Sequence, residues 1–278
     1  MNDFFRHTNW RFIDQSLSMM TRSPLESFAM DDTLCHLTGH GQSLPVIRTW
    51  VHNEAVVLGI QDHRLPYIED GMNLLRQAGY DPIVRNSGGL AVVLDPGVLN
   101  ISIVFGETEP TSIDQAFSYM VGLVRGIFPE VANEIEVYEI VGSYCPGTYD
   151  LSIGGRKFAG ISQRRMQNGI AVQIYLCIEG SGSARAALIR DFYSESLQGE
   201  KTKFHYPVVV PEVMASMQEL VNADLTVAEV NMRIQRLLLE WNSAIQLLPL
   251  QEEELSYYTH YLERVFKRNA SLLKKEEN

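Results

Sequence analysis

Asp150-Leu151-Ser152-Ile153-Gly154-Gly155-Arg156-Lys157-Phe158-Ala159-Gly160-Ile161-Ser162-Gln163 opens the stretch that decides the fold, and it continues through Asn168-Gly169 to Ile170–Ile178. Gly154-Gly155 is a two-residue hairpin turn. Asn168-Gly169 is a second turn, of the type that favours positive φ at both positions. The chain therefore runs out along Asp150–Ile153, returns through Arg156–Arg165 and runs out again along Ile170–Ile178, a three-stranded antiparallel meander. Antiparallel pairing brings Lys157 to the level of Ser152 or Ile153.

Immediately upstream, Gly142-Ser143-Tyr144-Cys145-Pro146-Gly147-Thr148-Tyr149 holds a thiol in a Pro/Gly turn, with Lys157 twelve residues later. Cys177, in contrast, sits inside the apolar run Val172–Ile178, as a structural cysteine does. A turn cysteine is reachable, and a nearby cation raises the thiolate fraction of such a residue. Cys145 and Lys157 share a cleft if the turn folds inward.

Outward from the meander, Ser23-Pro24-Leu25-Glu26 predicts a capped helix ending near Gly39 or Gly41, with Glu26 closing a capping box. Strands are predicted over Pro45–Val51 and Ala55–Ile60, and around Ile83–Arg85, Leu90–Leu94 and Leu99–Phe105, with a short one at Glu134–Val141. Helical periods occupy Ile68–Gln77, residues 112–128 with interruptions at Gly122 and Gly126, Pro211–Val221, a capped run from Thr226 to Trp241, and Glu252–Leu273. The pattern is α/β (α+β): mixed sheets flanked by helices, with a helical C-terminal part. With no low-complexity linker and no repeat, residues 1–278 read as one domain with its core at about 40–250.

Composition narrows the function. The apolar share is 45% and the charged share 21%, ordinary for a globular protein. No apolar run approaches the roughly 18 residues of a membrane span, and no signal peptide opens the chain, so a cytoplasmic location is expected. Cys35, Cys145 and Cys177 form no CxxC, which fits a reducing compartment. A net charge of −11 argues against nucleic acid. Cys35, His36 and His40 lie close on one helix, yet no second ligand cluster accompanies them, and no metal is expected.

Arg85-Asn86-Ser87-Gly88-Gly89-Leu90-Ala91-Val92-Val93-Leu94-Asp95 is the second chemical signal. A Gly-Gly pair between strands allows close backbone approach to a ligand, although taken alone a plain turn is the better reading. No Walker or G-x-G-x-x-G pattern is present.

Together, this loop, Asp95-Pro96-Gly97-Val98-Leu99-Asn100-Ile101-Ser102 and Lys157-Phe158-Ala159-Gly160 resemble the lipoate-protein ligase and octanoyltransferase superfamily over about residues 8–250. Within it the chain is most similar to the branch of cysteine-dependent octanoyl amidotransferases. Where ligases have an arginine, a glycine and a histidine, this chain has Val84, Leu90 and Leu94, a more apolar loop that suits an acyl chain better than a nucleotide.

The resemblance implies a biotin/lipoyl protein ligase catalytic-domain fold with no cofactor. It implies transfer of octanoyl from a lysine of glycine cleavage H protein, through a thioester on Cys145, to a lipoyl-domain lysine of 2-oxoacid dehydrogenase E2 subunits. Cys145 and Lys157 are the implied catalytic residues, Lys157 polarising the carbonyl or shuttling a proton. Arg85, Ser87, Gly88, Gly89, Ala91 and Val92 are the expected substrate contacts, unless Arg85 pairs with Asp95 instead. Beside a Gly-Gly turn, Lys157 is expected to matter little to folding. No local histidine supplies a base for Cys145. Octanoyl-acyl carrier protein as donor, an ATP-dependent lipoate ligase and a non-catalytic binder of acylated H protein remain the alternatives.

Overall fold

The computed structural model describes residues 3–6, 9–85, 88–241 and 245–273. Ser87, one of the expected substrate contacts, lies outside them.

The meander forms as the turn signals dictate. Strands β8 (Asp150–Ile153), β9 (Arg156–Met166) and β10 (Gly169–Cys177) pair antiparallel, and Lys157 stands opposite Ser152. Gly154 and Gly155 both take positive φ, at 56° and 73°. At the second turn the positions shift by one residue. Gln167 and Asn168 carry the positive φ angles, 51° and 58°, and Gly169 is already in β10. Gly169 is needed for close packing: a Cβ there would lie 2.1 Å from the carbonyl oxygen of Cys35.

The meander supplies three of the eight strands of a larger sheet. Counting β1 (Arg11–Gln15), β2 (Val46–Trp50), β6 (Val98–Gly106), β7 (Glu136–Val137) and β11 (Gln246–Leu247), its order is β11-β1-β2-β6-β10-β9-β8-β7. The β1 pairings to β2 and β11 are parallel and the rest antiparallel. A second, three-stranded sheet joins β3 (Ala55–Leu58), β4 (Asp81–Val84) and β5 (Val92–Leu94) in the order β4-β3-β5, with one parallel and one antiparallel pairing. Both sheets are therefore mixed.

Alternation along β10 decides what covers each face. Ile170, Val172, Ile174 and Leu176 pack with Met120, Leu123, Val124 and Ile127 of helix α4 (Ile113–Ile127). On the opposite face Ala171 packs with Met30, Leu34 and Cys35 of helix α2 (Pro24–Gly39), and Tyr175 and Cys177 join the core of the small sheet. Chain segment Asp3–Arg6 makes a short helix, α1, and Ile68–Gln77 makes α3. The C-terminal part carries α5 (Gly182–Leu197), a short α6 (Met217–Leu220), α7 (Val227–Trp241) and α8 (Leu255–Leu273). Helix α3 packs on α5, α2 on α8 and α4 on α7. Among the described residues no helix is long and apolar enough to cross a membrane.

Several local expectations change. Ser23 caps α2 by accepting from the Leu25 amide, while Glu26 pairs with Arg22 instead of closing a capping box. Gly122 and Gly126 do not interrupt α4, because Gly126 makes room for Trp241 of α7, 2.7 Å from where its Cβ would sit. Pro211–Val221 is a 3-10 turn at Pro211–Val213 followed by α6, since Met214 instead forms a bridge to Lys157 of β9. Helix α5 and strands β1 and β11 have no counterpart in the sequence reading. Arg185 on the buried face of α5 blurs its apolar period, and β1 and β11 are short.

Candidate active site

Between the large sheet and the small one lies a cavity of about 280 Å³. Its floor is β9 and β10, its apolar walls include Phe28, Trp50, Val57, Val92 and Leu94, and the Gly88-Gly89 loop and the Cys145-Pro146-Gly147 turn form its rim. Cys145 is only partly buried, whereas Cys35 and Cys177 are fully enclosed. Burial pushes both of those thiols up.

The turn does fold inward, and it holds Cys145 in a left-handed conformation with φ of 44°. A non-glycine residue there stores about 1–3 kcal/mol, which the surroundings must offset. Three groups fix the turn. Tyr144 is fully buried, with its hydroxyl 3.8 Å from Cys177 Sγ. Asp150 Oδ2 accepts from the amides of Ile140 and Gly147, both at 3.2 Å. Lys157 Nζ lies beneath the turn, 3.0 Å from the carbonyl oxygens of Tyr144 and Cys145, 3.2 Å from Ser143 Oγ and 2.8 Å from Asp150 Oδ1.

Lys157 is therefore no surface lysine: it is 0% exposed, and its removal would strand a buried carboxylate. The expectation that it matters little to folding fails, because the preceding turn closes over the hairpin end. Four oxygens surround an ammonium that has three protons. Burial pushes the Asp150 carboxyl up while the Lys157 ammonium pulls it down, and the burial effect is the larger.

The glycine loop meets the thiol from the other side. Leu90 N donates to Cys145 Sγ at 3.2 Å, and Arg85 Nη2 donates to the same sulfur at 3.4 Å and to the Leu90 carbonyl at 2.6 Å. Two N–H groups thus converge on one sulfur. Arg85 does not pair with Asp95. Asp95 is held by Arg185 of α5, through contacts of 2.6 and 2.7 Å. Gly89 takes φ of 107°, and a Cβ there would lie 2.0 Å from Arg85 Nη2; at Gly88 a Cβ would meet nothing within 4 Å. The second glycine thus serves the approach of Arg85, and the first borders open space.

Of the expected substrate contacts, Arg85, Gly88, Gly89 and Val92 line the cavity with Cys145. Ala91 does not: its side chain is 0% exposed and packs into the core of the small sheet. Lys157 lies beneath the rim and not in the cavity wall. Asn100 and Ser102 of the Asp-x-Gly-x-Leu-Asn-x-Ser strand fasten neighbouring elements, Asn100 Nδ2 donating to the Trp50 carbonyl at 3.3 Å and Ser102 Oγ to Asp31 at 2.8 Å, and Asn100 also lines the cavity.

Beneath the loop the sequence reading missed Asp62, fully buried, which accepts from Gly59 N at 2.7 Å and Tyr193 Oη at 2.9 Å. Burial pushes its carboxyl up to about 6, against these donors and the nearby Arg85 charge. Its one sequence signal was an aspartate in an otherwise unassigned stretch. The His36 and His40 rings stack, with centroids 4.4 Å apart, but Cys35 is buried, His36 Nδ1 meets Tyr261 Oη at 3.0 Å, and His40 Nδ1 meets the His36 carbonyl at 2.8 Å. Among the described residues no group of three or more His, Cys, Asp or Glu side chains could hold a metal.

The chain is similar to known proteins in sequence and in fold. The family model of the lipoyl protein ligase A/B catalytic domain matches residues 23–238. An octanoyl-[GcvH]:protein N-octanoyltransferase of Lysinibacillus sphaericus is 63% identical over 278 residues, covering 100% of both chains. One of Staphylococcus aureus is 47% identical, covering 97% of this chain and 96% of its own. In fold, the chain is similar to a putative lipoate protein ligase from T. acidophilum with bound lipoic acid, at a TM-score of 0.66 and 16% identity, covering 92% of this chain and 95% of that one. The chain belongs to the lipoyl protein ligase A/B catalytic domain family.

Proposed function

We propose that this chain moves an octanoyl group from the octanoylated lysine of glycine cleavage H protein to the lipoyl-domain lysine of an E2 subunit, through a thioester on Cys145. The observation that carries the reading is the thiol itself. It is partly exposed, bent into the cavity rim by a left-handed turn, and faced by two N–H donors. The names of relatives at 47–63% identity supply the acyl group and the donor.

In the first half-reaction Cys145 Sγ attacks the amide carbonyl, whose π pair moves onto oxygen. Collapse of that adduct breaks the C–N bond, and the departing lysine nitrogen takes up the proton the thiol gave up. The second half-reaction reverses the roles: the acceptor lysine amine attacks, loses a proton and expels Sγ. Dividing one amide exchange into two such steps is what a covalent nucleophile contributes. Among the described residues no histidine lines the cavity. The titratable groups that do are Arg85, Cys145, Asp150 and Tyr175.

Lys157 keeps the Cys145 turn in place and sets a positive charge beneath its carbonyl, 3.0 Å away. To donate to the acyl oxygen as well, it must release one of its four oxygens. Arg85 and the Gly88-Gly89 backbone form the polar rim, and Val92, Trp50 and Phe28 take the acyl chain. About seven carbons follow the carbonyl of octanoate. At about 0.8 kcal/mol per buried CH₂ the chain contributes several kcal/mol to recognition.

The test is transfer itself. Octanoyl-H protein mixed with an unmodified lipoyl domain and enzyme, without ATP or magnesium, should yield octanoylated lipoyl domain, and the reaction should run backwards. Cys145→Ala should abolish it. Transfer that requires free octanoate and ATP would replace this reading with ligation, and transfer only from octanoyl-acyl carrier protein would change the donor.

A further inference from the structure

A polar atom buried in a cavity without a partner is costly unless a ligand completes it. Among the described residues three such atoms belong to cavity-lining side chains: Arg85 Nε, Gln163 Nε2 and Tyr175 Oη. Arg85 already donates to the Cys145 sulfur through Nη2 and Gln163 Oε1 accepts from Arg165 Nε, so of these three the side chain left with no hydrogen-bond partner among the described residues is that of Tyr175. Its residue is 7% exposed, and its ring stacks on that of Tyr144, the residue before Cys145, with centroids 5.8 Å apart. Lys157 Nζ stands 5.9 Å from the centroid of the same ring.

The backbone beneath is cut away to admit this ring. Gly160, opposite Tyr175 in the β9–β10 pairing, would carry a Cβ 2.8 Å from the ring and 3.2 Å from Oη. That accounts physically for the glycine of Lys157-Phe158-Ala159-Gly160, which has φ outside the left-handed region and no turn to serve.

We propose that Tyr175 is a catalytic residue whose hydroxyl donates to the acyl carbonyl oxygen as Cys145 attacks, an inference that rests on the transfer reading above. As the Sγ–C bond forms, the oxygen gains the π pair and the Tyr175 O–H···O bond shortens. The phenol keeps its proton throughout. When the C–N bond breaks, the carbonyl re-forms and the proton from the thiol leaves on the amine. Burial pushes the Tyr175 phenol well above its ordinary range, so the group stays a donor at neutral pH. Lys157 meanwhile has its protons committed to the turn and to Asp150. Tyr175 has no competing acceptor among the described residues.

The experiment is single-turnover acylation of the full-length enzyme by octanoyl-H protein, followed by intact mass, for wild type and Tyr175→Phe. Removing one positioned donor to a developing oxyanion costs about 10²–10³ in rate. The acylation rate at saturating donor should therefore fall about 10²-fold. The donor concentration for half-maximal rate should stay near the wild-type value. Tm should equal or exceed wild type, because an unpartnered hydroxyl is lost and the packing ring is kept. Gly160→Ala, which pushes on the ring, should slow acylation in the wild type and add little in the Tyr175→Phe background.

Wild-type acylation by Tyr175→Phe would overturn the proposal and leave the thioester mechanism standing. A slow variant with a clearly lowered Tm would overturn it in favour of a packing role, and a change confined to the half-maximal concentration would overturn it in favour of ground-state binding. If the wild type acquires no octanoyl at all, the transfer reading falls with it.

Discussion

Replacing Lys157 with methionine keeps the aliphatic stem and deletes the charge beneath the Cys145 turn. The ion pair to Asp150 spans 2.8 Å, with side chains 0% and 2% exposed. Breaking one side of such a buried pair costs about 3–5 kcal/mol. The lower end applies here, because Asp150 keeps the amides of Ile140 and Gly147. About 3 kcal/mol in a chain of this size corresponds to a fall in Tm of about 6–12 °C. The loss should shrink as pH falls. The native Asp150 carboxyl already sits above its ordinary value through burial, and deleting the cation raises it further. A carboxyl with a raised native pKa binds its proton more tightly when folded. Its stabilising contribution is thus present at low pH and is lost as pH rises through the native value. Lys157→Met should accordingly approach wild-type stability in mild acid. Lys157→Met with Asp150→Asn should recover most of the loss at neutral pH, since no unpaired charge remains. Denaturant melts at several pH values measure all of this. A neutral-pH Tm within about 2 °C of wild type for Lys157→Met would refute the pairing as drawn.

Gly89→Ala should displace Arg85 and sharply reduce transfer, whereas Gly88→Ala should leave folding intact, its Cβ meeting nothing within 4 Å; transfer assays and melts on the pair separate the two. Asp62, with its carboxyl pushed up to about 6, should make the wild type lose stability relative to Asp62→Asn as pH rises from about 4 through 6, as paired melts would reveal. Mild alkylation of the native protein should modify Cys145 alone, since Cys35 and Cys177 are fully buried; peptide mapping reads the outcome.

Where local chemistry sets local structure, the sequence was legible. Gly154-Gly155 turned the meander as its φ freedom requires, and that turn put Lys157 opposite Ser152. Cys145 was recognisable because a thiol between Tyr144 and Pro146 has no apolar run to enter. What remained hidden depends on contacts across long separations. Arg85 and Cys145 are 60 residues apart, and nothing near either residue announces that a guanidinium would reach the sulfur. Arg85 is the only partner the sequence offers near Asp95, and the arginine that does hold it lies on α5, a helix whose apolar stripe is broken by that very arginine. Gly169 misled by looking like a turn residue while serving helix packing. The site motif was thus readable, and its electrostatics became so only after folding.

The central claim is that acyl transfer passes through Cys145. Its most direct measurement is the intact mass of the enzyme after incubation with octanoyl-H protein and no acceptor, followed by peptide mapping. A single octanoyl adduct on the peptide containing Cys145 is predicted. It should be released by hydroxylamine, absent from Cys145→Ala, and retained by Cys35→Ala and Cys177→Ala. An adduct that persists in Cys145→Ala, or maps to another residue, would contradict the account.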